Sequence, residues 1–532
     1  MIKGYWVPVL HSHLPFVKHP DYDYFLEEYW LFEAITECYI PLLRNLKKLY
    51  EENIDFRLTT SVTPPLAQML DDKHLMDKYS KYLDKLIELG IKEVERTKND
   101  EVFKNVALYY KNFFEETKEF FENFLKRNVL NGYRFFNDLG KIEVITCGAT
   151  HGFLPLLSVS KRAVEVQIEI AVESHKKHFK KPPKGIWLPE CAYYEGLDEI
   201  LKDNGIEFFF MDSHGLIYGE PTAINGVYAP IYTKSSVAAF ARDPHSAKQV
   251  WSSKEGYPGD FNYRDFYRDI GYDLDYEYIK DYIDPDGSRV FTGFKYHKVT
   301  GDSDYKEVYN PKKAIDITVG HAKDFHFKRE KQFEYLGQNM DRTPMIVSPY
   351  DAELFGHWWF EGPEFLYNVF KEIDTHKIIK AVTPNEYLSM YSKNQVLNPS
   401  ASSWGDQGYY DVWLNETNAW IYRHLHNMAD EMVYLANEHK DENDFDKIRV
   451  LNQMARELLL AQSSDWAFLM TTKTAAEYSE QRTKEHVYNF NTLQSMLESY
   501  IDYDILENLE YKNSIFNFID FKIYRDKKCL IN

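Results

Sequence analysis

GIWLPECAY (residues 185–193) and MIVSPYDAELFGHWWFEGP (345–363) decide how this chain is expected to fold. In each, a short apolar run, Ile186–Leu188 or Met345–Val347, hands over to a carboxylic acid, Glu190 or Asp351. The same cadence recurs upstream and between them. Tyr5–Leu10 runs into His11, Phe56–Thr59 into Thr60 and Ser61, and Ile142–Thr146 into Thr150 and His151. Phe208–Met211 then meets Asp212 and His214, and Val237–Ala241 meets Arg242 and Asp243. Strands of a parallel sheet are covered on both faces, so they read as short, nearly continuous apolar runs. Barrel enzymes carry their chemistry where such strands end. Seven runs with polar ends therefore predict an α/β fold, a parallel barrel of about that size.

Other segments switch to helical spacing. Leu75, Tyr79, Tyr82, Leu86 and Leu89 recur every three or four residues, and Tyr110, Phe114, Phe121 and Phe124 continue the stripe. This predicts a helical insertion over about 65–135. A Tyr- and Asp-rich excursion fills 243–341 before the last strand-like run, the kind of long loop that shapes a substrate site. Beyond residue 400, Ile421, Leu425, Met428, Met432 and Leu435 form one stripe and Ile448–Leu460 another. The 532 residues thus divide into a catalytic barrel over 1–400 and a C-terminal α-helical domain over 401–532.

Composition narrows the function. Lys and Arg total 63 against 83 Asp and Glu, and the net charge of −20 argues against nucleic acid or an anionic membrane as a partner. Aromatic residues reach 16%, and flat amphipathic rings suit the apolar faces of sugars as well as a core. Cys38, Cys147, Cys191 and Cys529 are widely spaced, with neither a disulfide framework nor a metal-type pair. The first residues offer no secretory or membrane-spanning stretch, so a cytoplasmic location is expected. No cofactor and no metal is called for; the His11–His13 pair is the one spacing that would suit zinc, as in deacetylase- or mannosidase-type barrels.

Cleavage of a glycosidic bond with retention requires two carboxyl groups about 5 Å apart, a nucleophile and a general acid/base. By their place at strand ends, Glu190 and Asp351 are the candidates. Five ordered segments strengthen this: LHSHLP (10–15), TCGATHGFLPL (146–156), WLPECAY (187–193), YDAELFGHWWFEGP (350–363) and SSWGDQGYYDVWLNETNAW (402–420). Together they resemble the signature motifs of glycoside hydrolase family 57, and QSSDWAFLM (462–470) resembles the branching-enzyme type within it.

The resemblance implies a distorted seven-stranded barrel and a retaining mechanism on α-1,4-glucans such as amylose, glycogen or starch. It implies Glu190 as nucleophile, Asp351 as acid/base, and His11, His13 and His151 lining the sugar subsite. Trp359, Trp404 and Trp413 are expected to offer ring faces to glucose units, with Asp465 and Trp466 helping to close the cleft. Branching, with the new bond formed to a 6-hydroxyl, is the reaction expected first, and hydrolysis by an α-amylase is the alternative. Branching members of the family are thought to use a tyrosine-bearing mobile loop. The matching stretch here, Ser213–Ser236, is short and holds Tyr218, Tyr228 and Tyr232, none assignable as the gate. A catalytically silent glucan-binding protein is a further alternative, against which both carboxylates speak.

Overall fold

The computed structural model describes residues 2–252, 255–301, 303 and 305–527; Cys529 lies outside them. All seven apolar runs form strands: β1 (Gly4–Ser12), β2 (Leu58–Val62), β3 (Ile142–Ile145), β4 (Gly185–Trp187), β5 (Phe208–Met211), β7 (Ala238–Ala241) and β8 (Met345–Asp351). Two short strands were not foreseen, β6 (Ile231–Tyr232), antiparallel to β7, and β9 (Ile379–Ala381), parallel to β1.

The strands form two sheets, ordered β3–β2–β1–β8 and β4–β5–β7–β6. Beside β1, β9 pairs with Gly4–Trp6 while β2 begins only at Val9. The sheets meet along two narrow seams. At one, Thr146 N–H donates to Gly185 O (3.2 Å) and Trp187 N–H to Thr146 O (2.9 Å). At the other, Asp243 N–H, just beyond β7, donates to Val347 O of β8 (2.9 Å).

Side chains alternate across the strands and are buried on both faces, as the apolar runs require. Val7, Val9, Ile145, Trp187, Phe208, Phe210, Phe240, Met345 and Val347 fill the space between the two sheets. Trp6, Leu10, Leu58, Ile142, Phe209 and Ile346 point outward into the helical layer.

The stretch 65–135 is mostly helical. Asp72 caps the Lys73–Arg96 helix by accepting from Leu75 N–H, and Asp100 caps Glu101–Glu119. Leu75, Tyr79, Leu86 and Leu89 face the core. The excursion after β7 is mostly irregular up to the long Pro311–Gly337 helix. It is pinned by buried Asp269, which accepts from Gly271, Thr292 and Gly293, and by the Arg264–Glu37 ion pair at 2.9 Å. From residue 420 to 512 the chain is mostly helical: Trp420–Glu438, Phe445–Ala461, Ser464–Thr472, Ala476–Glu498 and Tyr503–Lys512.

One glycine ties the loop after β8 to this frame. Gly356 has φ +122°, and a Cβ placed there would lie 1.8 Å from the carbonyl oxygen of Glu37. Neither the conformation nor the contact admits a side chain. Gly356→Ala is expected to lower unfolding stability by about 2 kcal/mol or more, measured by denaturant unfolding; a loss within the range of a surface substitution would overturn this.

Candidate active site

The ends of β1, β3, β4 and β8 converge with the start of the Ser464–Thr472 helix. Glu190 follows β4 in a tight turn where it and Cys191 both have positive φ, +60° and +52°. Such residues cost on the order of 1–3 kcal/mol each and persist only where the surroundings fix them. Here the fixing comes from the 402–404 segment. Trp404 N–H donates to Glu190 O (3.0 Å), while Tyr193 and Ser402 exchange backbone hydrogen bonds. The turn aims the Glu190 carboxylate inward, where Oε2 accepts from Trp404 Nε1 (2.8 Å) and Oε1 from Ser464 Oγ (3.1 Å). Burial pushes its pKa up to about 7 against these two donors, with Asp465 adding to the rise and His13 opposing it.

Asp351 is the last residue of β8 and stands opposite His11 in the register with β1. Its carboxyl has no hydrogen-bond donor among the described residues. Burial, then the neighbouring charges of Glu353 and Glu190, hold its pKa well above the usual carboxylate range, with Arg242 opposing. Glu353, two residues on, accepts from Tyr39 OH (2.5 Å) and from the backbone N–H of His13 (3.1 Å).

The three histidines connect these acids. His11 Nδ1 meets Ser61 Oγ at 2.6 Å, and its Nε2 lies 2.9 Å from His151 Nε2, one nitrogen donating to the other. His151 Nδ1 reaches Ser464 Oγ at 2.8 Å and stands 3.7 Å from Glu190 Oε1. Burial, then the charge of neighbouring histidines, drives the pKa of both well below the ordinary value, so both are neutral. His13 differs. Its Nδ1 contacts Thr63 Oγ1 (3.0 Å) and its Nε2 contacts Asp465 Oδ2 (2.9 Å). Burial works to lower the His13 pKa, yet the Asp465 carboxylate raises it overall, and His13 in turn holds Asp465 down to about 2 against burial. The trio therefore combines two neutral rings with one whose pKa is raised, and His13 stacks on His151 (3.8 Å) while Trp187 stacks on His11 (4.9 Å).

The tryptophans require correction. Trp404 lies at the centre, partly exposed and bonded to Glu190. Trp359, Trp413 and Trp466 are 2%, 1% and 1% exposed and have no ring face to offer a sugar. Trp359 packs among Tyr263, Phe355 and Phe365, and Trp413 stacks on Phe153 at 4.5 Å. Trp466 donates Nε1 to Leu460 O (2.8 Å), anchoring the helix that delivers Ser464 and Asp465.

Of the three tyrosines in Ser213–Ser236, Tyr228 is bound by its carbonyl to Met345 N–H, at the far end of β8 from Asp351. Tyr232 belongs to β6, and only Tyr218 is exposed. The segment is laced to 395–400 by Tyr232 N–H to Gln395 O, Leu397 N–H to Tyr232 O, reciprocal Glu220–Asn398 bonds and Ser400 N–H to Gly215 O. Cys191 is buried and its thiol pKa is driven up, which removes it as a nucleophile.

Residues 8–315 match the family model for glycosyl hydrolase family 57, and residues 424–524 match the model for the 1,4-alpha-glucan branching enzyme C-terminal region. The chain is 32% identical to a 1,4-alpha-glucan branching enzyme of Thermococcus kodakarensis, over 97% of this chain and 78% of that one. Among solved structures it superposes on the alpha-amylase AmyC of Thermotoga maritima with a TM-score of 0.92 at 47% identity, covering 98% of this chain and 99% of the other. A branching enzyme of Pyrococcus horikoshii gives a TM-score of 0.89 at 34% identity, with 99% and 97% covered. On this coverage and on the motifs gathered around Glu190 and Asp351, the chain belongs to glycosyl hydrolase family 57.

Proposed function

We propose that this enzyme is a retaining 1,4-α-glucan branching enzyme, with Glu190 as nucleophile and Asp351 as general acid/base, and that it also hydrolyses a share of its substrate. The observation that carries the assignment is the contrast between the two acids. Glu190 has two donors on its carboxylate, which favour the anion, whereas Asp351 has none among the described residues and faces negative charge, which favours the neutral acid. Between them, an ionised Glu190 attacks the anomeric carbon as Asp351 gives its proton to the departing glycosidic oxygen. The C–O bond to the leaving chain breaks and a covalent glycosyl–Glu190 ester forms. Asp351, now a base, takes a proton from the acceptor hydroxyl as that oxygen displaces Glu190. A 6-hydroxyl of another chain yields a branch; water yields a reducing end.

His11, His13 and His151 would line the sugar site beside the cleaved bond as a fixed stack of rings whose nitrogens, bonded within the protein, hold Ser61, Thr63, Ser464 and Asp465 in place, with Trp404 against the sugar's edge. Residues 1–400 would form the catalytic unit and 401–532 the helical one, which contributes Ser464 and Asp465. The enzyme's partner would be α-glucan and its location the cytoplasm, in keeping with the buried free thiols of Cys38, Cys147 and Cys191.

Predominant hydrolysis is favoured by the lacing of Ser213–Ser236, which leaves no free flap to shield the ester from water, and by the 47% identity to AmyC. A zinc reading is disfavoured because all six ring nitrogens of His11, His13 and His151 already have protein partners, although Asp465, the partner of His13 Nε2, lies close enough to His13 and His151 to share an ion with them.

Three measurements test this. Incubation with linear amylose followed by proton NMR should show new α-1,6 linkages in excess of new reducing ends; reducing ends alone would make the protein an amylase. Glu190→Gln should lower turnover by roughly four orders of magnitude while leaving glucan binding nearly intact, and unchanged turnover would remove the nucleophile. Activity should rise as pH passes through about 7, where Glu190 ionises, and fall where Asp351 loses its proton. Since the Trp404 hydrogen bond lowers the Glu190 pKa, Trp404→Phe should move the acid limb up by about one pH unit; a limb that stays in place would detach it from Glu190.

A further inference from the structure

Away from the two catalytic acids, a cavity of about 290 Å³ opens among the Ile40–Glu51, Glu101–Glu119, Pro311–Gly337 and Gly362–His376 helices. We infer that it is a second, non-catalytic binding site for the same α-1,4-glucan, holding a short stretch of chain between aromatic rings and free carboxamides. This rests on the glucan reading above.

The lining has the mixed character a sugar requires. Phe360 forms a buried floor with Arg264 over its ring at 3.9 Å, and the partly exposed Phe113 and Tyr109 stand edge-on to it at 5.3 and 6.2 Å, so the ring surface open to a sugar is theirs. Such rings suit the apolar C–H faces of a pyranose. Around them, the side chains of Asn45, Asn112 and Glu364 line the cavity and have no partner among the described residues. Carboxamides both donate and accept, and a carboxylate accepts twice, which matches the paired hydroxyls of a glucose ring. Arg44 and Glu116 add an ion pair at the rim.

Other ligand classes fit worse. Arg44 is matched by Glu116, and Glu37 is committed to Arg264 and His357, which leaves Glu364 as an unmatched negative charge that would repel a phosphate or another anion. A metal ion would need converging acidic or imidazole ligands. Among the described residues such groupings occur only around His11, His13 and His151. A lipid tail would strand the two carboxamides and the carboxylate without partners.

The wall nearest the catalytic face is the π-helical turn Ile35–Tyr39. Its Glu37 lines the cavity, while Tyr39, two residues on, donates to Glu353 beside Asp351. A polymer held here would stay close to the enzyme between catalytic events, a benefit available to long chains and not to short ones.

The test uses the full chain carrying Glu190→Gln, titrated calorimetrically with maltoheptaose, with and without Asn112→Trp, which plugs the cavity from an exposed position. Two binding sites are expected, falling to one in the plugged variant. With Glu190 intact, Asn112→Trp and Phe113→Ala should each raise KM for long amylose by about fivefold at unchanged kcat, and leave the kinetics on a short maltooligosaccharide unaltered. If Phe113→Ala fails to fold, Asn112→Trp carries the same readout. A single site in both proteins, two sites that persist in the plugged one, or an equal loss on long and short substrates would overturn the inference while leaving the proposed reaction intact. Absence of any maltoheptaose binding to the Glu190→Gln chain would overturn both.

Discussion

A carboxylate taken out of water must be held by donors, and at Glu190 those donors come from far along the chain. The Trp404 indole and the Ser464 hydroxyl lie 214 and 274 residues away. Hydrogen bonds to an ionised group contribute on the order of 1.5–3 kcal/mol each, while burial of the ion costs several kcal/mol. The donors offset only part of that cost, which is why burial still pushes the Glu190 pKa up to about 7. The loop after residue 400 and the C-terminal helices are thus parts of the site. Without them the strained turn at Glu190 and Cys191 would keep only its internal bonds, Cys191 N–H to Leu188 O and Ala192 N–H to Pro189 O.

The same constraint orders the other charges. Glu190, Asp351, Glu353 and Asp465 share one partly buried space, and like charges in such a setting cannot all ionise. The structure resolves the conflict by pairing Asp465 with His13 at 2.9 Å and by leaving Asp351 with no donor among the described residues. Glu353 is also raised, by burial first, although Tyr39 donates to it. His11 and His151 stay neutral chiefly because both are buried, with the neighbouring histidines adding to the effect. Burial therefore sets the direction for the whole cluster, and the His13–Asp465 pair is where a carboxylate is held down against it.

Much of this could be read from residues alone, and the reasons for success and failure are specific. The seven parallel strands were legible because burial on both faces forces an unbroken apolar run, and Glu190 and Asp351 because they terminate two such runs. β9 was missed because Ile379–Lys380–Ala381 is three residues long with a lysine at its centre, and β6 because two residues leave no pattern. The two-sheet arrangement with thin seams depends on register, which periodicity does not encode. Trp413 was misjudged because a polar loop says nothing about which way an indole turns; here Gly405 lets the ring press against the backbone, where an added Cβ would come within 2.6 Å of it. Ser464 was hidden for a different reason. A serine's role follows entirely from what it meets, and it meets His151 and Glu190 only in three dimensions.

How the glycosyl–enzyme ester would divide between water and sugar follows from rigidity. A mobile flap can exclude water when the acceptor is absent and open when it arrives. The backbone bonds between 213–236 and 395–400 oppose any such motion, since lifting the segment would break several of them at once. Neither does the wall beneath it yield, because β6 continues this lacing into β7. A cleft whose 213–236 wall is tied down in this way cannot time the entry of water by lifting that segment. It can favour a sugar only by holding one at the reacting carbon for longer than water takes to attack, so acceptor affinity, and not loop closure, is the quantity that would determine this enzyme's branching.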